Sequence, residues 1–175
     1  MTAELELERR AQRLVGRRVC RVWYDDARTL GAAVHEVAAA VHLELDDGRR
    51  PRIAWSRELA TRHGFGVALG EQQTLPPTVR EVTGAPWAID SPVTAARIHW
   101  RAIEDALRAG LRVNLAIGAD HLTRYDFPQS LELVCGDRSV FVAAARLIAP
   151  DSAEGFASSL LVVDGAGALA RLGLR

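Results

Sequence analysis

The residues best able to do chemistry lie in one short stretch, Asp120-His121 followed by Arg124-Tyr125-Asp126. An imidazole beside a carboxylate is the pairing of a general base. A guanidinium nearby can hold an anion while Tyr125 or Asp126 orients it. Neighbouring residues on a strand point to opposite faces, so Asp120 and His121 cooperate only if the chain turns there. They are weak catalytic candidates for that reason. The plainer reading is a polar loop ending at Phe127-Pro128, and partner recognition suits its residues better than catalysis. Loops on rigid scaffolds carry binding function, and Tyr and Arg are favoured interface anchors. Arg124, Tyr125 and Asp126 are thus the expected partner-binding residues. Trp23 joins them, because alternation puts it on the face of Arg21, where an exposed tryptophan beside arginine would be an anchor.

Other motifs fail on their mechanics. His35-Glu36-Val37-Ala38-Ala39 starts like a zinc-protease helix, but Ala39 stands where the second ligand is needed. The remaining histidines, His42, His63, His99 and His121, have no ligand spacing. Gly165-Ala166-Gly167-Ala168-Leu169-Ala170 matches a dinucleotide-binding turn. That mechanism needs a following strand and an acidic residue about 20 positions on, and the sequence to Arg175 supplies neither. Small residues packing a last helix onto a strand are the expected role. No nucleophile elbow or P-loop is present. Cys20 and Cys135 sit in apolar stretches and are expected to be reduced and buried. No metal and no cofactor is expected. The run Arg9, Arg10, Arg13, Arg17, Arg18 and Arg21 could touch phosphate, but Glu4, Glu6 and Glu8 precede it, and a solvated helix face is the expectation.

The elements that must position these residues follow a repeat. Arg21-Val22-Trp23-Tyr24 matches Arg97-Ile98-His99-Trp100, Leu43-Glu44-Leu45 recurs as Leu131-Glu132-Leu133, and Gly64-Phe65 recurs as Gly155-Phe156. Gly48 and Arg50 fall on Gly136 and Arg138. The same order of anchors argues for two β units, about 14–83 and 87–172. Strands are predicted over 18–24, 43–45, 50–55 and 67–69 in the first unit, and over 93–100, 131–133, 139–145 and 158–163 in the second. Asp46-Asp47-Gly48 and Cys135-Gly136-Asp137 read as hairpin turns. Short helices are predicted over 78–82, after Pro76-Pro77, and over 166–172. A short link, 25–37, joins the first two strands of the first unit. The second unit instead carries an insertion over about 101–127: a helix with i,i+4 pairs Arg101/Asp105 and Glu104/Arg108, an extra strand over 111–117, and the candidate loop. Residues 3–15 read as an N-terminal helix.

The fold expected is therefore α+β: mainly antiparallel strands from two tandem four-strand units in a single domain, with short peripheral helices. Phe127-Pro128-Gln129 before Leu131-Glu132-Leu133, then Gly136 and the run Val140 to Ala145, resembles a group of small uncharacterised bacterial proteins with two copies of a β unit. The resemblance covers about half the chain. It implies the fold and carries over no activity and no functional residue.

Composition narrows the function. The chain has 175 residues, 49% hydrophobic and 25% charged, the profile of a globular domain large enough for its own core. All 22 basic residues are arginine, balanced by 22 acids, which reads as GC-rich bacterial coding. Neither half is basic, with 13 Arg against 12 acids up to Val82 and 9 against 10 after it. Bulk attraction to nucleic acid or an anionic membrane is not expected. No apolar run approaches a membrane span and the N-terminus lacks a signal peptide's apolar region, so the expected location is cytoplasmic. Together these features point to a non-enzymatic protein-binding module, such as an immunity-type protein or regulatory adaptor. The alternatives are a small enzyme or ligand-binding domain using the 120–126 loop, and a homo-oligomeric structural subunit.

Overall fold

A computed structural model describes residues 2–59, 62–113 and 126–174. Its elements are α1 (Ala3–Gln12), β1 (Val19–Leu30), β2 (Val34–Leu45), β3 (Pro51–Leu59), β4 (Arg62–Glu71), β5 (Val79–Val82), β6 (Val93–Ala102), α2 (Ile103–Arg108), β7 (Arg112–Val113), β8 (Asp126–Cys135), β9 (Arg138–Ala149), β10 (Ser152–Asp164) and α3 (Gly165–Arg171). The fold is α+β and dominated by antiparallel strands, as the alternation and turn signals require.

One sheet runs β4-β3-β2-β10-β9-β8-β6, with β1 added to β2, β5 to β1, and β7 parallel to β10. β2 is the branch point. Its residues Ala40 to His42 pair with β3, while Val34 to Val37 pair with β10. β1 follows almost all of its other side. The split lets the sheet curl around a core that includes Tyr24, Leu43, Ile53, Val67, Leu131, Leu133 and Leu160. A second core forms on the opposite face of β9 and β10, where Phe141, Leu161 and Val163 meet Ile103 of α2 and Leu169 of α3. β9 and β10 are thus buried on both faces. That is why Val140 to Ala145 and Leu160 to Val163 are continuous apolar runs instead of alternating ones.

The two halves pair their strands in the same order, β1-β2-β3-β4 and β6-β8-β9-β10. Arg21 and Val22 oppose Glu44 and Leu43, as Arg97 and Ile98 oppose Glu132 and Leu131. Gly48 and Gly136 both sit in turns at positive φ, 82° and 65°, which favours glycine. Arg50 and Arg138 do not correspond in register. His42 faces Arg52 whereas Ser130 faces Ala143, because the first hairpin closes earlier: Leu45 bonds Arg49 across its turn, while Cys135 pairs with Arg138 across the second.

α1 lies across both sheet ends. Arg10 Nη1 donates to the Leu69 carbonyl of β4 at 2.8 Å, and Gln12 Nε2 to the Ala96 carbonyl of β6 at 3.0 Å. Trp100 Nε1 donates to Glu8 at 2.6 Å. These bonds satisfy edge groups that would otherwise invite another strand.

Several expectations change. Residues 79–82 form β5 and not a helix: Val79 and Val82 are β-branched, and the segment pairs with Val22 to Asp25 of β1. The link 25–37 is mostly strand, since β1 and β2 extend to a tip at 31–33. Cys20 is exposed, because a register shift between Val19 and Arg21 turns it outward, whereas Cys135 is buried. Among the described residues no helix is long and apolar enough to cross a membrane.

Candidate functional site

Of the residues expected to form a site, Asp120, His121, Arg124 and Tyr125 lie outside the described residues. Asp126 opens β8, exposed and opposite Ala102. Trp23 shares the face of Arg21, but it is only 6% exposed. The reason is β5. With Glu81 as its register partner, Trp23 lies on an interior strand, and Arg21 is drawn over the ring by two bonds to Glu81, at 3.0 and 2.7 Å. The guanidinium carbon stands 4.7 Å from the ring centroid, a cation–π contact. Trp23 is a covered residue, not an exposed anchor.

Beside it, His42 is fully buried between Trp23 and Arg52. Its Nδ1 is 2.6 Å from Gln72 Nε2, and its Nε2 has no partner among the described residues. Burial, aided by Arg52, pushes its pKa down.

A polar cluster around a buried carboxylate lies in the second half. Glu132, the acidic residue within the Leu131-Glu132-Leu133 strand, is nearly buried. Its carboxylate accepts from Ser139 Oγ at 2.9 Å and Arg97 Nη1 at 3.3 Å, and lies 3.0 Å from His99 Nε2. Burial alone would raise its pKa, but the bonds from His99, Ser139 and Arg97 together bring it below the usual range. A buried carboxylate orienting a half-exposed imidazole can hold or move a proton. Ser139 bonds to the carboxylate and not to the imidazole, so the three do not form a relay to a nucleophile.

A third group is interior. Trp87 Nε1 donates to Tyr24 Oη at 2.6 Å. Tyr24 Oη is 2.8 Å from His35 Nδ1. Trp can only donate, so the tyrosine proton is left for His35, which must then be neutral at Nδ1. Burial pushes His35 down, against a Gly31 main-chain hydrogen bond, and pushes the Tyr24 phenol up.

Among the grooves on the described surface, two stand out by their lining. One lies between α1, the turn after β2 and the β4 edge, has a volume of about 450 Å³, and is lined by Arg9, Arg10, Arg13 and Arg49. The other, of about 580 Å³, lies between the β1–β2 tip, the β9–β10 tip and α3. Its lining is mainly apolar, with Ala33, Leu147, Ile148, Pro150 and Leu172. Gly31 shapes the first tip: its N–H donates to the Val34 carbonyl at 3.0 Å, and a Cβ there would sit 2.9 Å from that oxygen. Ile148 is 39% exposed, and Leu30, next to the lining residue Gly31, is 43% exposed. Glu36 stands in the wall, held by Ser159 Oγ at 3.2 Å.

Sequence reasoning missed this second groove. Its signal is a pair of large apolar residues beside small-residue turns, Leu30-Gly31-Ala32-Ala33 and Ile148-Ala149-Pro150. It missed Glu132 as well, whose signal is an acid set between two leucines of a strand. Among the described residues no group of three or more His, Cys, Asp and Glu could hold a metal ion. Comparison with protein-family models, curated proteins and solved structures finds no match for this chain.

Proposed function

We propose that this chain is a non-enzymatic protein-binding module that takes an apolar segment of a partner protein into the groove between its two hairpin tips. The observation that carries the reading is the apolar groove itself, with Leu30 and Ile148 left 43% and 39% exposed beside it. Fully burying such a side chain is worth about 1.5–3 kcal/mol, so two of them supply a hot spot. The β9–β10 hairpin, buried on both faces at its base, gives the groove a rigid mount on one side. The shared pairing order and the matched Arg–Glu register support a duplicated β unit as that scaffold. An immunity-type or adaptor role fits this arrangement, and a cytoplasmic location fits the composition.

The test is affinity capture from the native source with the wild-type chain and with Ile148→Asp, alongside light scattering. A stoichiometric partner bound by the wild type and lost at least tenfold in the variant supports the reading. Equal capture by both would refute the groove. A dimer dissociated by the same substitution would make the partner a second copy.

A ligand-binding or catalytic role is the second reading, favoured by the oriented His99–Glu132 pair at 3.0 Å. A metabolite screen in which a ligand shifts the His99 ring resonances in wild type, and not in Glu132→Gln, would support it.

A further inference from the structure

We infer that the groove between α1 and the edge of β4 is a binding site for an oxyanion-bearing ligand, carrying either a phosphate or clustered carboxylates. It shares no lining residue with the apolar groove, so neither reading depends on the other. Four guanidiniums face two carboxylates, Glu6 and Glu71, leaving the lining with a net positive charge.

Three of the arginines are pinned. Glu6 accepts from Arg9 Nε, Arg9 Nη2 and Arg10 Nε, each at 2.8 Å. Those bonds from Arg9 and Arg10 pull its pKa down to about 2, so the anchor stays ionised. Arg10 Nη1 is held by the Leu69 carbonyl at 2.8 Å. Arg49 is held by Asp47 at 2.7 Å and by the Arg13 carbonyl at 2.9 Å. Each guanidinium has five N–H donors, so among the described residues Arg9 Nη1, Arg10 Nη2 and Arg49 Nη1 stay unused.

Arg13 is the least restrained cation of the group. Its closest carboxylate, Glu71, is 4.0 Å away, and among the described residues its side chain makes no hydrogen bond. Pinned guanidiniums have already lost their rotamer freedom, so a ligand need not order them. Their planar forks match carboxylate and phosphate oxygens in pairs, and a concave lining of one net sign concentrates the field. Leu14, Pro51 and Leu69 also line the groove, with apolar surface for the body of such a ligand.

The test is calorimetric titration of the full chain at low salt with two probes, inorganic pyrophosphate and an octaglutamate peptide. The expected result is saturable binding of at least one probe, weakened at least tenfold by Arg13→Gln. Among the described residues that side chain makes only a long, exposed ion pair with Glu71, which adds little to the fold. Arg146→Gln, which breaks a distant pair with Glu154, should leave binding unchanged. Binding of pyrophosphate alone assigns the site to a phosphate ligand, and binding of the peptide alone to an acidic protein segment. No saturable binding of either, or binding equal in wild type and Arg13→Gln, would overturn the proposal.

Discussion

Replacing Tyr24 with phenylalanine removes one oxygen from a fully buried side chain and leaves no void worth counting. The loss is electrostatic. Trp87 Nε1 loses its acceptor at 2.6 Å, and His35 Nδ1 its donor at 2.8 Å. Both residues are buried, 7% and 4% exposed, so water does not replace the hydroxyl freely. A buried polar group left without a partner costs about 1–3 kcal/mol, so two give about 2–6 kcal/mol. For a chain of this size that lowers Tm by roughly 4–24 °C. The network also has a pH signature. Burial depresses both His35 and His42 below their ordinary pKa. Below pH 6.5 the unfolded chain therefore binds more protons than the folded one, and stability falls as pH drops toward the folded values. The slope is up to about 1.4 kcal/mol per pH unit per histidine. Tyr24→Phe removes the donor that favours neutral His35, so its slope should be shallower. Urea unfolding followed by tryptophan fluorescence at pH 7.5, 6.5 and 5.5 measures both effects. A Tyr24→Phe stability within about 0.5 kcal/mol of wild type, half the ~1 kcal/mol of a single lost bond, would refute the network's role. So would a wild-type stability that does not fall between pH 6.5 and 5.5.

Three further outcomes are expected. Gly155→Ala places a Cβ 2.7 Å from Leu111 Cδ2, and overpacking of this kind should cost about 1–3 kcal/mol in thermal unfolding, with Leu111→Val in the same chain restoring part of it. Glu132→Gln removes an anion whose pKa is held down in the folded state, so wild-type stability should fall as pH drops below 4.5, toward the folded value, while the variant's acid unfolding curve lacks that component. Deleting residues 2–12 takes away the bonds to the Leu69 and Ala96 carbonyls and the buried Leu7 and Ala11; light scattering should then show a mass that rises with concentration, and a clean monomer would contradict the edge-covering role of α1.

Strand positions were legible where local chemistry decides them. The Asp-Gly and Gly-Asp turns and the alternation of Ala96, Ile98 and Trp100 follow from backbone preference and a half-buried sheet. The failures have one cause, which is that pairing between distant segments is invisible locally. Thr78 to Val82 follows two prolines and looks like a helix start, yet the edge of β1 recruits it as a strand, and Thr78 Oγ1 donates to Asp25 at 2.9 Å. Once β5 is a strand, Glu81 holds Arg21 over Trp23, so the misread helix and the misplaced tryptophan are one error. Cys20 was misjudged through a register shift that alternation cannot show. Of the site, the arginine run was legible as charge. Its concavity was not, because Arg49 and the β4 edge come from elsewhere in the chain.

The two halves use one pairing scheme and differ in what covers their outer face. Glu36 of β2 and Leu161 of β10 are register partners, so the face carrying Trp23 and His42 continues into the face buried by α2 and α3. In the second half Phe141 and Ala143 fill this layer, and helices seal it. In the first half it holds Arg21, His42 and Arg52, and paired charges cover it instead. The apolar groove lies where these two coverings meet, with Ala168 and Leu172 of α3 on one side and Gly31 and Glu36 on the other. A seam of this kind combines an apolar floor with a charged rim, the composition that protein recognition sites use. The arginine groove sits at the other discontinuity, where α1 spans the ends of the curled sheet. Both candidate surfaces thus lie where the sheet's own pairing stops, which is also where local sequence says least about its neighbours.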